Sequence, residues 1–381
     1  MKFIDWFAGI GGFRKGMELA GHKCVGFCEF DKYAVASYTS MHLITDKQRA
    51  HLESFDFKKR QKEILKEEYR NGEWYADDIR RVYTGDIPNA DCWCFGFPCQ
   101  DISVNGSHLG FKGNRSSLFF RVMYLVGQLE EEKRPEWLFI ENVKNLLSIN
   151  GGWDFTKLLC SLDENGYDAE WQVLNSNEFG VPQSRERCFI IGHLRGRDGH
   201  QILPISGTSE PNPMERIAEI PTEKGVVHRM RSGVWGISGS VPATTATQSK
   251  DPYRLAIPIK EATKQGFAIA RDEVDAINFS MPNSNTRRGR VGREMANTLD
   301  TSCNQGILKK ADDKYVPKVW YPKEQCYIAI RKLTPKECFR LQGWTDDYFY
   351  KAQFVNSDSQ LYKQAGNGVT VNVIEAIARK F

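Results

Sequence analysis

The sequence has no hydrophobic run approaching the roughly 18 residues that a membrane-spanning helix needs. Its N-terminus also lacks the long apolar segment of a secretory signal. The ten cysteines are scattered and do not form the paired framework of a disulfide-rich domain. The net charge of +4 is small for 381 residues, so nucleic-acid binding is permitted but not required. We therefore expect neither a membrane protein nor a secreted disulfide scaffold.

The composition that remains is that of an ordinary globular protein. Hydrophobic residues make up 41% and charged residues 26% of the chain. A chain of this length can form one large core and a second, smaller domain. The reducing cytoplasm of a cell is the simplest setting for its unpaired thiols.

Residues 91–103 contain the most informative cysteine. A short apolar run predicts a buried strand, which breaks at Gly96 and Pro98 and leaves Cys99 on the loop that follows. Open α/β sheets place their chemistry at the carboxyl ends of strands, which favours a nucleophilic role for this thiol. The alternatives are an inert buried cysteine and a zinc ligand. No second cysteine or histidine pair completes a four-ligand zinc site, so we expect no metal.

A glycine-rich turn near the N-terminus indicates a nucleotide site. Residues 2–7 predict a strand, residues 8–12 (AGIGG) the turn and residues 13–20 a helix. Glu29 follows a second predicted strand, 20 residues after Gly9, where an acid can accept hydrogen bonds from ribose hydroxyls. The alternative is that Glu29 and Asp31 only cap the next helix. The glycine spacing differs from the dinucleotide pattern, which favours a single nucleoside over a pyrophosphate.

Two further segments place polar side chains at strand ends. Glu141 follows a predicted central strand and has apolar neighbours, which suits a proton donor. Arg185 and Arg187 precede another strand and point the same way if that strand has begun. Residues 46–81 are rich in charge, and we predict a solvated helical insertion without chemistry.

The pattern changes between residues 195 and 322, where glycine, proline, serine and threonine accumulate. This composition is typical of a small, loop-rich domain. Residues 283–293 (NSNTRRGRVGR) are dense in arginine and are the candidate contacts to phosphates or guanine edges. The threonine-rich residues 241–248 are a second candidate, and a basic loop without specific contacts is the alternative.

The segment 96–100 (GFPCQ) resembles the nucleophile motif of the cytosine-5 DNA methyltransferases. Other segments resemble motifs of the same family in the same order. They are residues 5–9 (DWFAG), 84–87 (TGDI), 115–119 (RSSLF), 141–142 (EN), 183–187 (QSRER), 298–299 (TL), 331–343 and 364–369 (QAGNGV). Ser116 stands where the family commonly has glycine. In residues 331–343, Thr334 with Pro335 and Glu337 predicts the start of a helix.

This resemblance implies an α/β fold, with a Rossmann-like S-adenosylmethionine-dependent large domain and a small, loop-rich target-recognition domain. The implied boundaries are 1–194 for the first part of the catalytic domain, 195–322 for recognition and 323–381 for the return segment. The implied reaction is methyl transfer from S-adenosyl-L-methionine to carbon 5 of a flipped-out cytosine in a specific duplex DNA sequence, through a covalent adduct.

The resemblance also implies roles for individual residues. The implied catalytic residues are Cys99, Glu141, Arg185 and Arg187. The implied cofactor-binding residues are Phe7, Ala8, Gly9, Gly11, Gly12, Glu29, Phe30, Asp86, Ile87, Pro98, Leu118 and Asn367. The implied DNA-binding residues are Gln100, Ser103, Asn105, Arg115, Arg287, Arg288, Arg290, Arg293 and Thr298.

Three alternatives stay open from the sequence. A tRNA cytosine-5 methyltransferase would share the catalytic core, a dinucleotide oxidoreductase would share only the first two motifs, and an inactive relative would only bind DNA. We expect a monomer that acts on double-stranded DNA in the cytoplasm of a prokaryotic or phage-infected cell. The sequence leaves open whether a restriction endonuclease accompanies it.

Overall fold

The structure is a computed structural model that describes residues 1–98, 117–197, 199–207, 256–263, 266–271, 274–280, 289–310, 319–321 and 326–381. The strands of its larger sheet are β1 (Lys2–Trp6), β2 (Lys23–Cys28), β3 (Trp74–Ala76), β4 (Cys92–Gly96), β5 (Trp137–Val143), β6 (Tyr167–Asn175) and β7 (Glu186–Leu194). The α-helices are α1 (Gly12–Leu19), α2 (Lys32–Tyr38), α3 (Asp46–Glu53), α4 (Phe57–Glu63), α5 (Ser117–Gln128), α6 (Trp153–Glu164), α7 (Pro335–Leu341), α8 (Asp346–Gln353), α9 (Asp358–Asn367) and α10 (Val371–Ala378).

The order of strands in the larger sheet is β3-β2-β1-β4-β5-β7-β6. The neighbours from β3 to β5 are parallel, whereas β7 is antiparallel to both β5 and β6. The chain moves outward from β1 in one direction to β2 and β3, and in the other to β4 and β5. The carboxyl ends of β1 and β4 therefore flank a topological switch point, where open α/β sheets bind ligands.

Alternating side chains of the strands build a core on each face of this sheet. On β4, Trp93 and Phe95 face one core, and Cys92 and Cys94 face the other. The first core is covered by α5 and α6, and the second by α1 and α10. This period of two is what a central strand with both faces covered requires.

Helices from the two ends of the chain pack closely together. A Cβ atom added at Gly16 of α1 would lie 2.5 Å from the Cβ of Ile374 on α10. The glycine lets the two backbones approach, so the last segment of the chain completes the core built by the first. Helix α7 begins with the predicted capping box, in which Glu337 N–H donates to Thr334 Oγ1 at 3.2 Å.

The other described strands form a five-stranded antiparallel sheet and a hairpin. Their bounds are β8 (Ala256–Lys260), β9 (Phe267–Arg271), β10 (Ala276–Asn278), β11 (Val291–Gly292), β12 (Gln305–Lys310), β13 (Val319–Tyr321) and β14 (Cys326–Lys332). The sheet has the order β11-β10-β12-β14-β13, and β8 pairs with β9. The predicted domain boundaries stay predictions. We note that β14, which lies in the predicted return segment, pairs with β12 of this second sheet.

The charged segment 46–81 is helical at its start, as predicted, because α3 and α4 lie there. No residue of α4 is buried, which fits a solvated helix. The prediction is wrong at the end of the segment, where β3 joins the edge of the larger sheet. This short strand brings the residues that follow it to the carboxyl edge where β1 and β4 end.

Candidate active site

The turn after β1 is held in an unusual backbone conformation. Phe7, Gly9 and Gly11 have φ angles of 54°, 56° and 85°, in the left-handed region that favours glycine. The N–H of Gly9 donates to Glu29 Oε2 at 2.8 Å, and the N–H of Asp31 donates to Glu29 Oε1 at 2.7 Å. The predicted acid is therefore fixed by backbone donors from both sides. Burial raises the pKa of the Glu29 carboxyl, although these donors oppose the shift.

The helix after Glu29 is capped by its neighbour. Asp31 is the N-cap of α2, and its Oδ1 accepts from Tyr33 N–H at 2.9 Å. Its other oxygen forms an ion pair with Lys363 Nζ at 2.6 Å. The capping alternative thus holds for Asp31 and not for Glu29. The pair with Lys363 joins α2 to α9 beside the turn.

A cavity of about 630 Å³ opens at the switch point. The turn residues Phe7, Ala8, Gly9 and Gly12 line it, together with Glu29 and Phe30. Pro98, Leu118 and Asn367 also line it, as do Glu141, Arg185 and Arg187. The structure thus brings together residues predicted for the cofactor and residues predicted for catalysis. The volume lies within the range of about 300–1,000 Å³ that small-molecule sites occupy.

Gly11 does not line this cavity. A Cβ atom added there would lie 2.5 Å from the Nε2 atom of His42, so the glycine makes room for that ring. His42 Nε2 in turn lies 3.0 Å from the carbonyl oxygen of Ile10. The structure thus gives Gly11 a role in packing the turn, and its cofactor contact stays a prediction.

Asp86 and Ile87 are also absent from the cavity wall. Asp86 is exposed in a short helical turn, and Ile87 packs against the larger core. The residues that line the cavity next to Glu29 are Asp77, Asp78, Ile79 and Arg80, directly after β3. This position makes Asp78 and Ile79 candidate cofactor contacts as well, and the contact of Asp86 and Ile87 stays a prediction. The Gly-Asp pattern is weak evidence because such turns are common in loops.

Glu141 of β5 and Arg187 of β7 form an ion pair at the end of the cavity that β1 and β4 separate from Glu29. Arg187 Nε lies 3.0 Å from Glu141 Oε1, and the two side chains are 15% and 10% exposed. Gly96 of β4 leaves room for the carboxylate, since a Cβ atom there would lie 3.0 Å from Glu141 Oε2. Burial raises the pKa of Glu141, and the guanidinium groups of Arg187 and Arg185 oppose this rise. Desolvation is the larger effect, so the protonated acid is favoured more than in water.

Arg185 is buried and donates hydrogen bonds to residues 364–369, the last motif of the chain. Its Nη2 donates to Gly368 O at 2.7 Å and to Gly366 O at 3.4 Å, on either side of Asn367. Asn142, which follows Glu141 on β5, is also fixed, because its Nδ2 donates to Phe97 O at 3.1 Å. These bonds tie the loop after β4 to β5, and the strand of Arg187 to the C-terminal segment.

Several predicted residues lie outside the described residues. They are Cys99, Gln100, Ser103, Asn105, Arg115, Arg287 and Arg288. Of the other predicted DNA contacts, Arg293 and Thr298 are exposed. Arg290 is only 1% exposed, so its prediction as a DNA contact is corrected. Its backbone continues the pairing of β10 with β11, since Asn278 N–H donates to Arg290 O at 2.7 Å, and its side chain is enclosed.

The sequence profile described as C-5 cytosine-specific DNA methylase matches residues 1–381. The chain belongs to this family. The match confirms the resemblance and the predicted class of enzyme, and it sets aside the dinucleotide oxidoreductase.

Curated relatives of this methylase match over nearly its whole length. It is 29% identical to the type II methyltransferase M.HhaI of Haemophilus parahaemolyticus, over 99% of this chain and 93% of that protein. It is 30% identical to the type II methyltransferase M.HpaII of Haemophilus parainfluenzae, over 99% of this chain and 88% of that protein.

Solved structures support the fold. The methyltransferase EhMeth of Entamoeba histolytica matches with a TM-score of 0.58 and 16% identity, covering 100% of this chain and 97% of that one. A putative DNA modification methyltransferase from an Escherichia coli prophage matches with a TM-score of 0.54 and 17% identity, covering 100% and 98%. With the parallel-dominated sheet, these matches confirm the predicted α/β fold class. Among the described residues, no helix could cross a bilayer and no three His, Cys, Asp or Glu side chains group as metal ligands.

Proposed function

We propose that this methylase transfers a methyl group from S-adenosylmethionine to carbon 5 of a cytosine that is turned out of duplex DNA. One observation carries the proposal. A single cavity has the Glu29 turn at one end and the Glu141–Arg187 pair at the other, with Pro98, the residue before Cys99, in its wall. A bound nucleoside cofactor and a substrate base would therefore meet in one enclosed space.

The residues at the first end fit the cofactor. Each oxygen of Glu29 accepts one backbone N–H and keeps a lone pair for a ribose hydroxyl. Phe30 is 74% exposed beside it and offers an aromatic face to the adenine. Asp78 and Ile79 at the end of β3 would hold the adenine edge, and Asn367 would approach from the C-terminal segment. The bound cofactor supplies an electrophilic methyl group.

The residues at the second end fit the activation of cytosine. Carbon 5 is a poor nucleophile, so the thiolate of Cys99 would first add to carbon 6 and make carbon 5 enamine-like. Glu141 would donate a proton to ring nitrogen 3, and Arg187 would hold oxygen 2 of the base. Carbon 5 would then take the methyl group as its bond to the cofactor sulfur breaks, which leaves S-adenosylhomocysteine, and ring nitrogen 3 would return its proton to Glu141. Loss of the carbon 5 proton to water and elimination would then break the bond from the Cys99 sulfur to carbon 6. The Cys99 thiolate is thereby regenerated.

A base inside a duplex cannot enter this cavity. Extrusion costs a few kcal/mol, which contacts to the remaining duplex must offset. Exposed Arg293 and Thr298, together with Arg287, Arg288, Gln100, Ser103, Asn105 and Arg115, are the proposed contacts. Phosphate contacts of this kind would make DNA affinity fall as salt rises.

The biological setting is also a proposal. The relatives named above are type II methyltransferases, which supports pairing with a restriction endonuclease. We propose that the enzyme acts as a monomer in the cytoplasm of a bacterial or phage-infected cell.

The direct test is transfer of labelled methyl from S-adenosylmethionine to unmethylated duplex DNA, with Cys99→Ser beside the wild type. We expect label on carbon 5 of cytosine with the wild type alone, at sites whose mapping gives the recognition sequence. The same assay includes tRNA as acceptor. Label in tRNA and none in any duplex would contradict a DNA substrate, and equal labelling by Cys99→Ser would contradict the nucleophile.

A further inference from the structure

The two sheets are joined along a short stretch of paired backbone. Residues 182–184 lie just before β7, and residues 296–299 lie between β11 and β12. Ala296 N–H donates to Pro182 O at 2.7 Å, and Ser184 N–H donates to Ala296 O at 2.8 Å. The exposed Thr298 adds a third bond, because its Oγ1 donates to Ser184 O at 2.8 Å. The segment with the candidate DNA contact Thr298 is thus attached to the segment that leads to Arg185 and Arg187.

The side chain of Gln183 fastens this junction from within. It is fully buried, with 0% of its surface exposed. Its Oε1 accepts from Leu299 N–H at 3.1 Å, and its Nε2 donates to Leu341 O at 2.7 Å, at the end of α7. One amide group therefore ties together three segments that are far apart in the sequence. Only a side chain of this length with both an acceptor and a donor at its tip can make the two bonds.

A second buried glutamine holds the same segment from the other side. Gln305, at the start of β12, accepts from Asn297 N–H at 2.8 Å and donates to Asn297 O at 2.8 Å and to Thr298 O at 3.2 Å. It is 1% exposed. Residues 297–299 are therefore bound by one glutamine of the second sheet and one of the first. The position of residues 297–299 therefore depends on both sheets.

We propose that Gln183 is a positioning residue that couples the segment Asn297–Leu299, when DNA is bound there, to the strand carrying Arg185 and Arg187. The inference rests on the proposed function. Gln183 precedes Arg185 by two residues and Arg187 by four, and Arg185 in turn holds Gly366 and Gly368. A displacement of the junction is transmitted to the Glu141–Arg187 pair through these few bonds. Misplacing a reacting group by about 1 Å can cost about 100-fold in rate.

The test compares two near-isosteric variants of buried glutamines. Gln183→Met removes both bonds of the junction. Gln342→Met is the matched control: Gln342 is also 0% exposed, but among the described residues its side chain bonds to Ala365 O and Thr370 Oγ1 and not to the segment 296–299. Thermal unfolding of both variants shows how much stability each has lost. Hydrogen exchange at the Leu299 amide, DNA affinity, and single-turnover methylation of a duplex with the mapped site are then measured.

For Gln183→Met we expect faster exchange at Leu299, and a methylation rate about 10- to 100-fold lower at saturating DNA and cofactor, with DNA affinity little changed. For Gln342→Met we expect normal exchange at Leu299 and a loss mainly in affinity for S-adenosylmethionine. The conservative variant Gln183→Glu should recover part of the methylation rate. A buried carboxyl resists ionisation, and its protonated form restores the donor to Leu341, so its deficit relative to wild type shrinks as the pH falls.

Unchanged exchange at Leu299 in Gln183→Met would overturn the junction. If Gln183→Met and Gln342→Met are equally stable and lose the same methylation rate, the coupling is overturned. The loss would then be a general effect of disturbing the core. Failure of the proposed function looks different. In that case the wild type itself methylates no DNA, while exchange at Leu299 still reports whether Gln183 holds the segment.

Discussion

Glu29 and Glu141 are the same residue type at opposite ends of one cavity, and their partners differ. Both are buried, and burial raises the pKa of both carboxyls. Glu29 is held by the backbone N–H groups of Gly9 and Asp31, whereas Glu141 is held by the side chain of Arg187. Backbone donors cannot swing away, so they fix both oxygens of Glu29 as acceptors. A guanidinium can turn, so Glu141 can exchange its partner for a substrate atom.

The comparison assigns binding to one glutamate and proton donation to the other. A carboxyl group whose two oxygens are held by backbone donors is suited to anchoring hydroxyl groups through its remaining lone pairs and not to giving up a proton. A desolvated carboxyl with one mobile cationic partner is suited to donating a proton when a base atom approaches. Substitutions at the two positions should therefore damage different steps of the reaction.

Replacing Glu141 should have the largest effect. Glu141→Ala removes the proposed donor to ring nitrogen 3, and we expect the single-turnover rate of methylation to fall by about 10²- to 10⁴-fold. Affinity for S-adenosylmethionine, measured by equilibrium titration, should be nearly unchanged because the Glu29 end is intact. A variant that loses cofactor affinity instead of rate would contradict the assignment.

The pH dependence should separate Glu141 from its amide. The protonated carboxyl is the donor, and its fraction falls as the pH rises through a pKa that burial has raised. The contribution of Glu141 to the rate is therefore complete at low pH and lost as the pH rises. Gln in its place keeps an N–H donor at every pH. We expect the ratio of the wild-type rate to the Glu141→Gln rate to fall as the pH rises, and a constant ratio would count against proton donation.

Replacing Glu29 should weaken the binding of S-adenosylmethionine and leave the rate of methyl transfer nearly unchanged. Glu29→Ala removes the proposed acceptor of the two ribose hydroxyls, and two hydrogen bonds of about 0.5–1.5 kcal/mol each correspond to about 5- to 150-fold in affinity. We expect a rise of this size in the dissociation constant for S-adenosylmethionine. The single-turnover rate at saturating cofactor should stay within a few fold of wild type. An equal loss of rate at saturation would erase the distinction between the two glutamates.

The sequence was sufficient to predict both glutamates as site candidates because each stands at the carboxyl end of a strand with a strong apolar pattern. Glu29 follows β2 and Glu141 lies near the end of β5, and strands of this kind are recognisable from their buried side chains. The arginine-rich residues 283–293 lack an apolar strand pattern of this kind. Arginine density predicted an exposed surface, but pairing beside β10 encloses Arg290, and pairing is not encoded in composition.

The strand β3 could not be predicted for a related reason. Its three residues stand inside a charged segment, and three residues are too short for alternation to be read. Its place in the sheet is decided by pairing with β2, which is remote in the sequence. The junction at Gln183 depends likewise on Leu299 and Leu341, more than 100 residues away. Local patterns predict elements, whereas contacts between remote segments decide which loops meet.

The smallest expected effect is a change in cofactor affinity, which distinguishes Asp78 from Asp86 as the residue that contacts the adenine. Asp78 lines the cavity beside Ile79, while Asp86 is exposed and outside it. Asn keeps a neutral acceptor in place of the carboxylate, and a hydrogen bond to a charged group exceeds a neutral one by about 1 kcal/mol, so Asp78→Asn should weaken cofactor affinity only by about two- to tenfold. Asp86→Asn is the matched control and should leave affinity unchanged. Because Asp78 also pairs with Arg80 at 2.7 Å, Arg80→Met is included to measure the loss of that ion pair alone. A weaker affinity in Asp86→Asn than in Asp78→Asn would restore the assignment made from the Gly-Asp pattern and would place the adenine away from β3.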